Sequence, residues 1–294
     1  MRDRLPSFDY YSPDMLDDAV KLLTRLDGAV ILQGGTDLLV AMKQKGLCPQ
    51  HVVSLRKLRG LLGEISEADG DIHIGASATF GQLERSALIK KELAVLHDAV
   101  RQIASYQIRN VATIGGNLCN ASPAADTAPP LLVLGAVLKV QGPSGERGLP
   151  IEKFFTAPGK SVLRKDEILK EIEVPKLKPN SGAAFVKLGR RVSEDISVAS
   201  GACLIQLDGK VVREIRIALG SVAPTPIRAY RAENVIKGQT ISDQSLKDTC
   251  QVAMTECSPI SDVRASARYR TAMVSVLTRA AIKTAVARAS EVKE

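Results

Sequence analysis

The sequence predicts an α+β fold with strands and helices gathered into a larger N-terminal region and a smaller C-terminal one. Three observations predict it. The first is alternation of polar and apolar residues at Asp71–Gly75 and Glu167–Pro175, the period of half-buried strands. The second is a polar stretch rich in Pro and Gly, Lys176-Leu177-Lys178-Pro179-Asn180-Ser181-Gly182, which reads as a linker. The third is the order beyond that linker, three strand-like runs followed by three helical ones, as in α+β architectures. With 294 residues there is room for two or three domains and a substantial core. The boundaries read as 1–176, divided at 55/56, and 177–294.

Taken in order, Ser12-Pro13-Asp14 reads as a helix start, a capping hydroxyl followed by proline and an acid. Met15, Leu16, Ala19, Val20, Leu22, Leu23 and Leu26 give that helix an apolar face, and Asp27-Gly28 ends it. Ala29–Leu32 is a strand and Gln33–Asp37 a glycine turn. A helix from Leu38 to Lys45 is stopped by Gly46, and Val52–Leu55 is a second strand. The opening piece is thus a small β-α-β unit. His73 reads as a strand residue facing solvent. Thr79-Phe80-Gly81-Gln82 matches a capping box. A helix is expected over Lys90–Ala104, with Leu93, Leu96, Ala99, Val100 and Ile103 inward, and another over Asp126–Leu134. Ala136–Val140 is a strand and Gly142–Gly145 a turn. Ala183–Leu188, Val198–Leu207 and Val211–Leu219 form the second region's strands, with Asp208-Gly209 as a tight hairpin. Helices over Arg228–Lys237, Ser245–Cys257 and Val263–Ala289 close the chain. On the last, Arg268, Arg270, Arg279, Lys283 and Arg288 read as a solvated or partner-facing basic face.

Two glycine-rich stretches carry the chemistry. In Gln33-Gly34-Gly35-Thr36-Asp37 a strand, a glycine turn and a helix start follow one another, the order that presents amides to an anion. In Val111–Asp126 an apolar run meets Gly115-Gly116, expected to bend the chain into an anion-binding turn. Asn117 and Asp126 add side chains suited to hydroxyls. No G-x-G-x-x-G occurs. Pro158-Gly159-Lys160-Ser161 imitates the end of a P-loop, but Phe154 stands where its first glycine must be. No Ser-His-Asp, Cys-His or paired-carboxylate arrangement stands out.

These two stretches resemble the FAD-binding subunits of the molybdenum hydroxylases, the family of carbon monoxide dehydrogenase medium chains and xanthine dehydrogenase flavin domains. So do Phe185-Val186-Lys187-Leu188-Gly189-Arg190-Arg191 and Pro259–Arg270, and the likeness runs from Tyr10 to about Ala285. The resemblance implies a two-part FAD domain of the vanillyl-alcohol-oxidase/PCMH type, then a C-terminal three-stranded antiparallel sheet with a helical bundle. It implies that Val30, Ile31, Leu32, Gln33, Gly34, Gly35, Thr36 and Asp37 wrap the pyrophosphate. It places Thr113, Ile114, Gly115, Gly116 and Asn117 on the phosphates and adenine half, Asp126 on FAD, and Leu169 and Lys187 on the flavin. Ile103 stands where some relatives pack an aromatic on the cofactor, so Tyr106 is expected to supply that contact. The flavin is expected to be non-covalent and to carry the redox chemistry. Molybdopterin is implied on a large partner subunit and [2Fe-2S] clusters on a small one. The alternatives from other classes are a stand-alone flavin oxidase or dehydrogenase and a non-catalytic nucleotide-binding regulator.

Composition narrows the remaining classes. Five cysteines, an odd number with no C-x-x-C, argue against a disulfide framework, zinc or an iron–sulfur cluster in this chain. Cys119 leads straight into Asn120-Ala121-Ser122-Pro123, with none of the cluster-binding insertion carried by relatives that act on hydroxybenzoyl-CoA. Net charge is +8, but the bases are scattered, Trp is absent and aromatics are 3%, which argues against nucleic acid and for an acidic protein partner. No apolar run is long enough to span a membrane. Met1–Pro6 lacks a signal-peptide core, so a cytoplasmic location is expected.

Overall fold

A computed structural model describes residues 4–191 and 194–291. Residues 1–3, where the signal-peptide reading begins, lie outside them.

The opening unit is larger than a β-α-β. Strands β1 (Asp9–Tyr11), β2 (Val30–Leu32) and β3 (His51–Ser54) form a parallel sheet in the order β1-β3-β2, crossed by helices α1 (Leu16–Arg25) and α2 (Leu38–Gln44). Helix α1 begins later than expected. Its N-cap is Met15, whose side chain makes no capping bond, and Ser12 lies before the helix. Ala19, Val20 and Leu23 bury its inner face against Val53, Leu55 and Leu58.

The second unit is a five-stranded antiparallel sheet in the order β4-β5-β10-β6-β7. It comprises β4 (Ile65–Ala68), β5 (Asp71–Gly75), β6 (Val137–Gly142), β7 (Gly145–Pro150) and β10 (Ile168–Pro175). A small hairpin, β8 (Phe155–Ala157) with β9 (Lys160–Ser161), interrupts it, so Pro158-Gly159 is a hairpin turn. Helix α3 (Arg59–Leu62) leads into this unit and α4 (Phe80–Arg85) follows β5, opened by the Thr79/Gln82 capping box. The helix expected over 90–104 is two helices, α5 (Ala87–Glu92) and α6 (Ala94–Val100), because Leu93 leaves helical geometry at ψ 50°. Ile103 and Ala104 lie in the turn beyond. Three short helices follow: α7 (Tyr106–Arg109), α8 (Ile114–Cys119) and α9 (Ala128–Leu134).

The C-terminal sheet has four strands where three were expected. β11 (Ser181–Leu188), β12 (Ala199–Asp208) and β13 (Val211–Gly220) are joined by β14 (Ile227–Arg228), too short for periodicity to register. Helices α10 (Tyr230–Ile236), α11 (Asp243–Thr255) and α12 (Ala267–Ser290) follow. Helix α12 packs on β11 and β12, while α6 and α9 meet β11 and β12 from the N-terminal region. Strand β12 is therefore buried from Ala199 to Leu207. One apolar cluster crosses the linker, holding Ile72, Leu131 and Leu138 together with Phe185, Ala202 and Ala218.

Two arginines of α12 turn towards the protein instead of standing on a solvated face. Arg270 is 3% exposed and donates to the carbonyls of Val198 (2.6 Å) and Ser221 (3.2 Å) and to Asp262 (2.7 Å). Arg288 reaches Asp98 at 2.6 Å and the Ala183 carbonyl at 2.7 Å. Each satisfies carbonyls at a junction between elements, a task that favours the multi-donor guanidinium. Among the described residues no helix is long and apolar enough to cross a membrane.

Candidate functional site

A cleft of about 580 Å³ runs between the parallel unit and the five-stranded unit, closed on one side by residues 194–196. It opens at the carboxyl ends of β2 and β3, where parallel strands leave their connecting loops free for ligands. Thirteen of the seventeen residues expected at the site line it: Ile31, Gln33, Gly34, Gly35, Thr36, Asp37, Ile103, Thr113, Gly115, Gly116, Asn117, Asp126 and Leu169. Val30, Leu32, Ile114 and Lys187 are outside the lining. Leu32 and Ile114 face the core instead.

The first glycine loop has the geometry of an anion cradle. The Gln33 carbonyl accepts from Arg56 Nε at 3.2 Å, the Gly34 carbonyl lies 3.5 Å from an Arg56 terminal nitrogen, and the Gly35 carbonyl accepts from the Leu39 amide at 3.0 Å. In a planar trans peptide the N–H points opposite the C=O. The amides of Gly34, Gly35 and Thr36 thus turn away from those anchors, and among the described residues none of them donates within the chain. Gly35 sits at φ +80°, which a side chain strongly disfavours. Gly34 is required for a different reason: a Cβ there would overlap the Val111 carbonyl oxygen, so the two loops touch backbone to backbone.

The second stretch is built otherwise than the sequence suggests. Gly115-Gly116 does not form an amide turn; it lies in the first turn of α8, and its amides are already used. Ile114 donates to the Ala78 carbonyl (3.0 Å), Gly115 to Ala76 (2.9 Å), Gly116 to Thr113 Oγ1 (3.1 Å) and Asn117 to the Thr113 carbonyl (3.0 Å). A Cβ on Gly115 would come within 2.6 Å of the Ala76 carbonyl oxygen, so this glycine seats α8 against the loop after β5. What this stretch offers the cleft is side chains. The Asn117 carbonyl oxygen is taken by the Thr127 hydroxyl at 2.6 Å, which orients its amide NH₂ group.

Asp126 is held by two residues from the far side of the linker. Lys187 donates to it at 2.7 Å and the Ser197 hydroxyl donates to its other oxygen. The Lys187 and Asp126 side chains are 6% and 8% exposed, so the ion pair is buried. Lys187 also donates to the Gln102 carbonyl at 2.9 Å. It reaches the cleft through Asp126, not by lining it. Burial pushes the Asp126 carboxyl up, against the Lys187 charge and the two hydrogen bonds.

Tyr106 is exposed and off the cleft wall; Phe80, Ile103 and Ile108 supply the apolar surface there. Sequence reasoning also missed Ser77, whose hydroxyl accepts from the Gln33 amide, leaving Gln33 Oε1 buried without a partner. It missed Ser197 and Arg56 as well. For Arg56 a signal existed, because the residues just past the second of two parallel strands share an edge with the first loop.

Away from the cleft, His73, Glu171 and Glu173 bring ligand-type atoms within 4.8 Å of one another. His73 bonds Glu171 at 2.9 Å instead of facing solvent, and Lys139 pairs with Glu173 at 2.8 Å. The Glu171 hydrogen bond raises the His73 imidazole pKa against the cost of burial.

Known proteins resemble this chain over nearly its whole length. Residues 6–177 match the FAD-binding domain of molybdopterin dehydrogenases, and residues 183–285 match the C-terminal domain of carbon monoxide dehydrogenase flavoproteins. The chain is 37% identical over 281 residues to a putative xanthine dehydrogenase FAD-binding subunit of Escherichia coli K12, covering 95% of this chain and 96% of that one. It is 32% identical to the carbon monoxide dehydrogenase medium chain of Hydrogenophaga pseudoflava, covering 96% and 98%. A solved structure of the carbon monoxide dehydrogenase from that organism superposes with a TM-score of 0.94 at 32% identity, covering 97% of this chain and 99% of that one. Quinoline 2-oxidoreductase of Pseudomonas putida 86 superposes with a TM-score of 0.91 at 26% identity, covering 97% and 99%. A mixed helix-and-sheet chain matched over nearly its whole length by dehydrogenase flavin subunits belongs to the FAD-binding medium subunits of the molybdenum hydroxylase family.

Proposed function

We propose that this chain is the electron-transfer subunit of a molybdenum hydroxylase complex. It binds FAD non-covalently, receives electrons from a small partner subunit carrying [2Fe-2S] clusters and passes them to an external acceptor. A large molybdopterin-bearing partner oxidises the substrate. The chain is arranged as a two-part flavin domain of the vanillyl-alcohol-oxidase/PCMH type over 1–176 and a C-terminal domain over 177–294, and it works in the cytoplasm.

The observation that carries the reading is the pairing in one cleft of three outward amides with a buried carboxylate. A pyrophosphate joined to a ribose needs both, amides for the anion and a carboxylate for hydroxyls. When bound, FAD supplies the one- and two-electron chemistry that side chains lack. The chain's own residues bind and orient. Gly34, Gly35 and Thr36 would hold the phosphates through backbone N–H groups. The Asn117 amide group would donate, and the Asp126 carboxylate accept, at the sugar hydroxyls. Ile31, Ile103 and Leu169 keep water from the apolar walls, which strengthens the polar contacts between them.

Purification from the native host tests the proposal. Three chains in equal ratio are expected, and acid precipitation should release all the yellow colour as FAD. Released FMN, colour retained in the pellet, or a lone chain that turns over substrate at full rate would contradict it.

A further inference from the structure

We propose that Arg56 is a positioning residue for the phosphate-binding loop, acting through the backbone and not by touching the ligand. The inference rests on the flavin reading of the cleft above.

The argument is one of peptide-plane orientation. β2 and β3 are adjacent and parallel, with Leu32 opposite Ser54. The Leu55 amide donates to the Leu32 carbonyl at 2.9 Å, carrying the ladder one step past the strands. The next residue, Arg56, opens a short 3₁₀ turn over Arg56–Leu58 directly below the glycine loop. Its Nε donates to the Gln33 carbonyl at 3.2 Å and a terminal nitrogen lies 3.5 Å from the Gly34 carbonyl.

Two successive carbonyls therefore face one guanidinium, and the two amides of the same peptide units, on Gly34 and Gly35, face the other way. Successive carbonyls in an unconstrained glycine pair have no reason to align, because glycine samples both signs of φ. A planar fork of donors spans two acceptors; a lysine ammonium at the same place is a point charge. The side chain is largely exposed, yet no carboxylate pairs with it among the described residues. Its place is thus not explained by a surface ion pair.

The test is equilibrium binding to the full-length apoprotein, with FAD, ADP and riboflavin as probes. ADP carries the pyrophosphate without the flavin, and riboflavin the flavin without phosphate. Arg56→Gln should weaken FAD and ADP binding roughly tenfold, the scale of losing hydrogen bonds from a charged donor, and leave riboflavin within about twofold. Arg56→Lys should recover only part of the loss. Circular dichroism and a thermal melt check that both variants fold.

Three results overturn the proposal: unchanged FAD and ADP affinity in Arg56→Gln, an equal loss for riboflavin, or full recovery in Arg56→Lys, which would make charge the cause. Wild-type protein that binds FAD but ignores ADP removes the amide cradle itself and this proposal with it. Wild-type protein that binds both, with Arg56→Gln unaltered, removes Arg56 alone and leaves the flavin reading standing.

Discussion

At the scale of single residues, Gly35 separates two causes that the sequence merges. Its φ of +80° was foreseeable from the strand–turn–helix pattern. The direction of its missing side chain was not. A Cβ there would point beneath the loop, 3.0 Å from a Leu32 methyl and 3.3 Å from one of Leu39, and would not enter the cleft. We predict that Gly35→Val nevertheless weakens FAD at least roughly tenfold, because backbone strain of about 1–3 kcal/mol is relieved by rotating the loop amides. Gly46, at φ +73° with open space around it, is the control. Gly46→Ala should cost about 1 kcal/mol of stability and leave flavin occupancy intact. The ratio of flavin to protein absorbance decides, and full occupancy in Gly35→Val would free this loop of its assigned role. Residues whose role is local, such as Gly35 and Thr79, were legible in the sequence. Lys187 and Ser197 were not legible as partners of Asp126, since 61 and 71 residues of chain separate them from it.

At the scale of elements, the entry to α12 shows how a loop becomes rigid. Asp262 accepts from the Arg264 and Ala265 amides at 2.9 and 3.2 Å and from Arg270 at 2.7 Å. Ser266 then caps the helix by accepting from the Tyr269 amide. Burial pushes the Asp262 carboxyl up, but those three donors outweigh it and hold the pKa at about 2, below an ordinary 3.8. A depressed carboxylate contributes stability that is fully present above its unfolded pKa and is lost as pH falls through the folded one. Thermal melts should therefore decline from about pH 4 towards pH 2. Asp262→Asn should melt lower at pH 7 and decline less steeply over that window; parallel pH profiles would refute the assignment. In the sequence this helix read as basic on its outside, because periodicity identifies a face but not what packs against it. The same limit hid the break at Leu93 and the strands β1, β4, β7 and β14, which are short or lie at or near sheet edges.

At the scale of the whole molecule, the segment expected to be a linker is shorter than its sequence suggests, since Ser181 and Gly182 already belong to β11, and the apolar core runs across it. Phe185, Ala202 and Ala218 pack into the same cluster as Leu131 and Leu138. The order of strands and helices was legible; the second buried face of β12 was not, since an apolar run does not say how many layers cover it. A fragment ending at residue 176 lacks β12 and should expose the faces of α6 and α9 that the C-terminal strands cover. We predict that it binds a hydrophobic dye and retains no flavin, whereas a fragment that holds FAD with native affinity would show the two regions to be independent. The hold on Asp126 has one further consequence, for the order of events in the cell. Chains fold from the N-terminus as they are made. Both glycine stretches and Asp126 leave the ribosome before Lys187 and Ser197 exist to grip that carboxylate, and before Arg288 can fasten α12 to Asp98. We predict that flavin loads late in biosynthesis: a ribosome-bound chain stalled short of β11 should carry none, and flavin on that stalled chain would refute it.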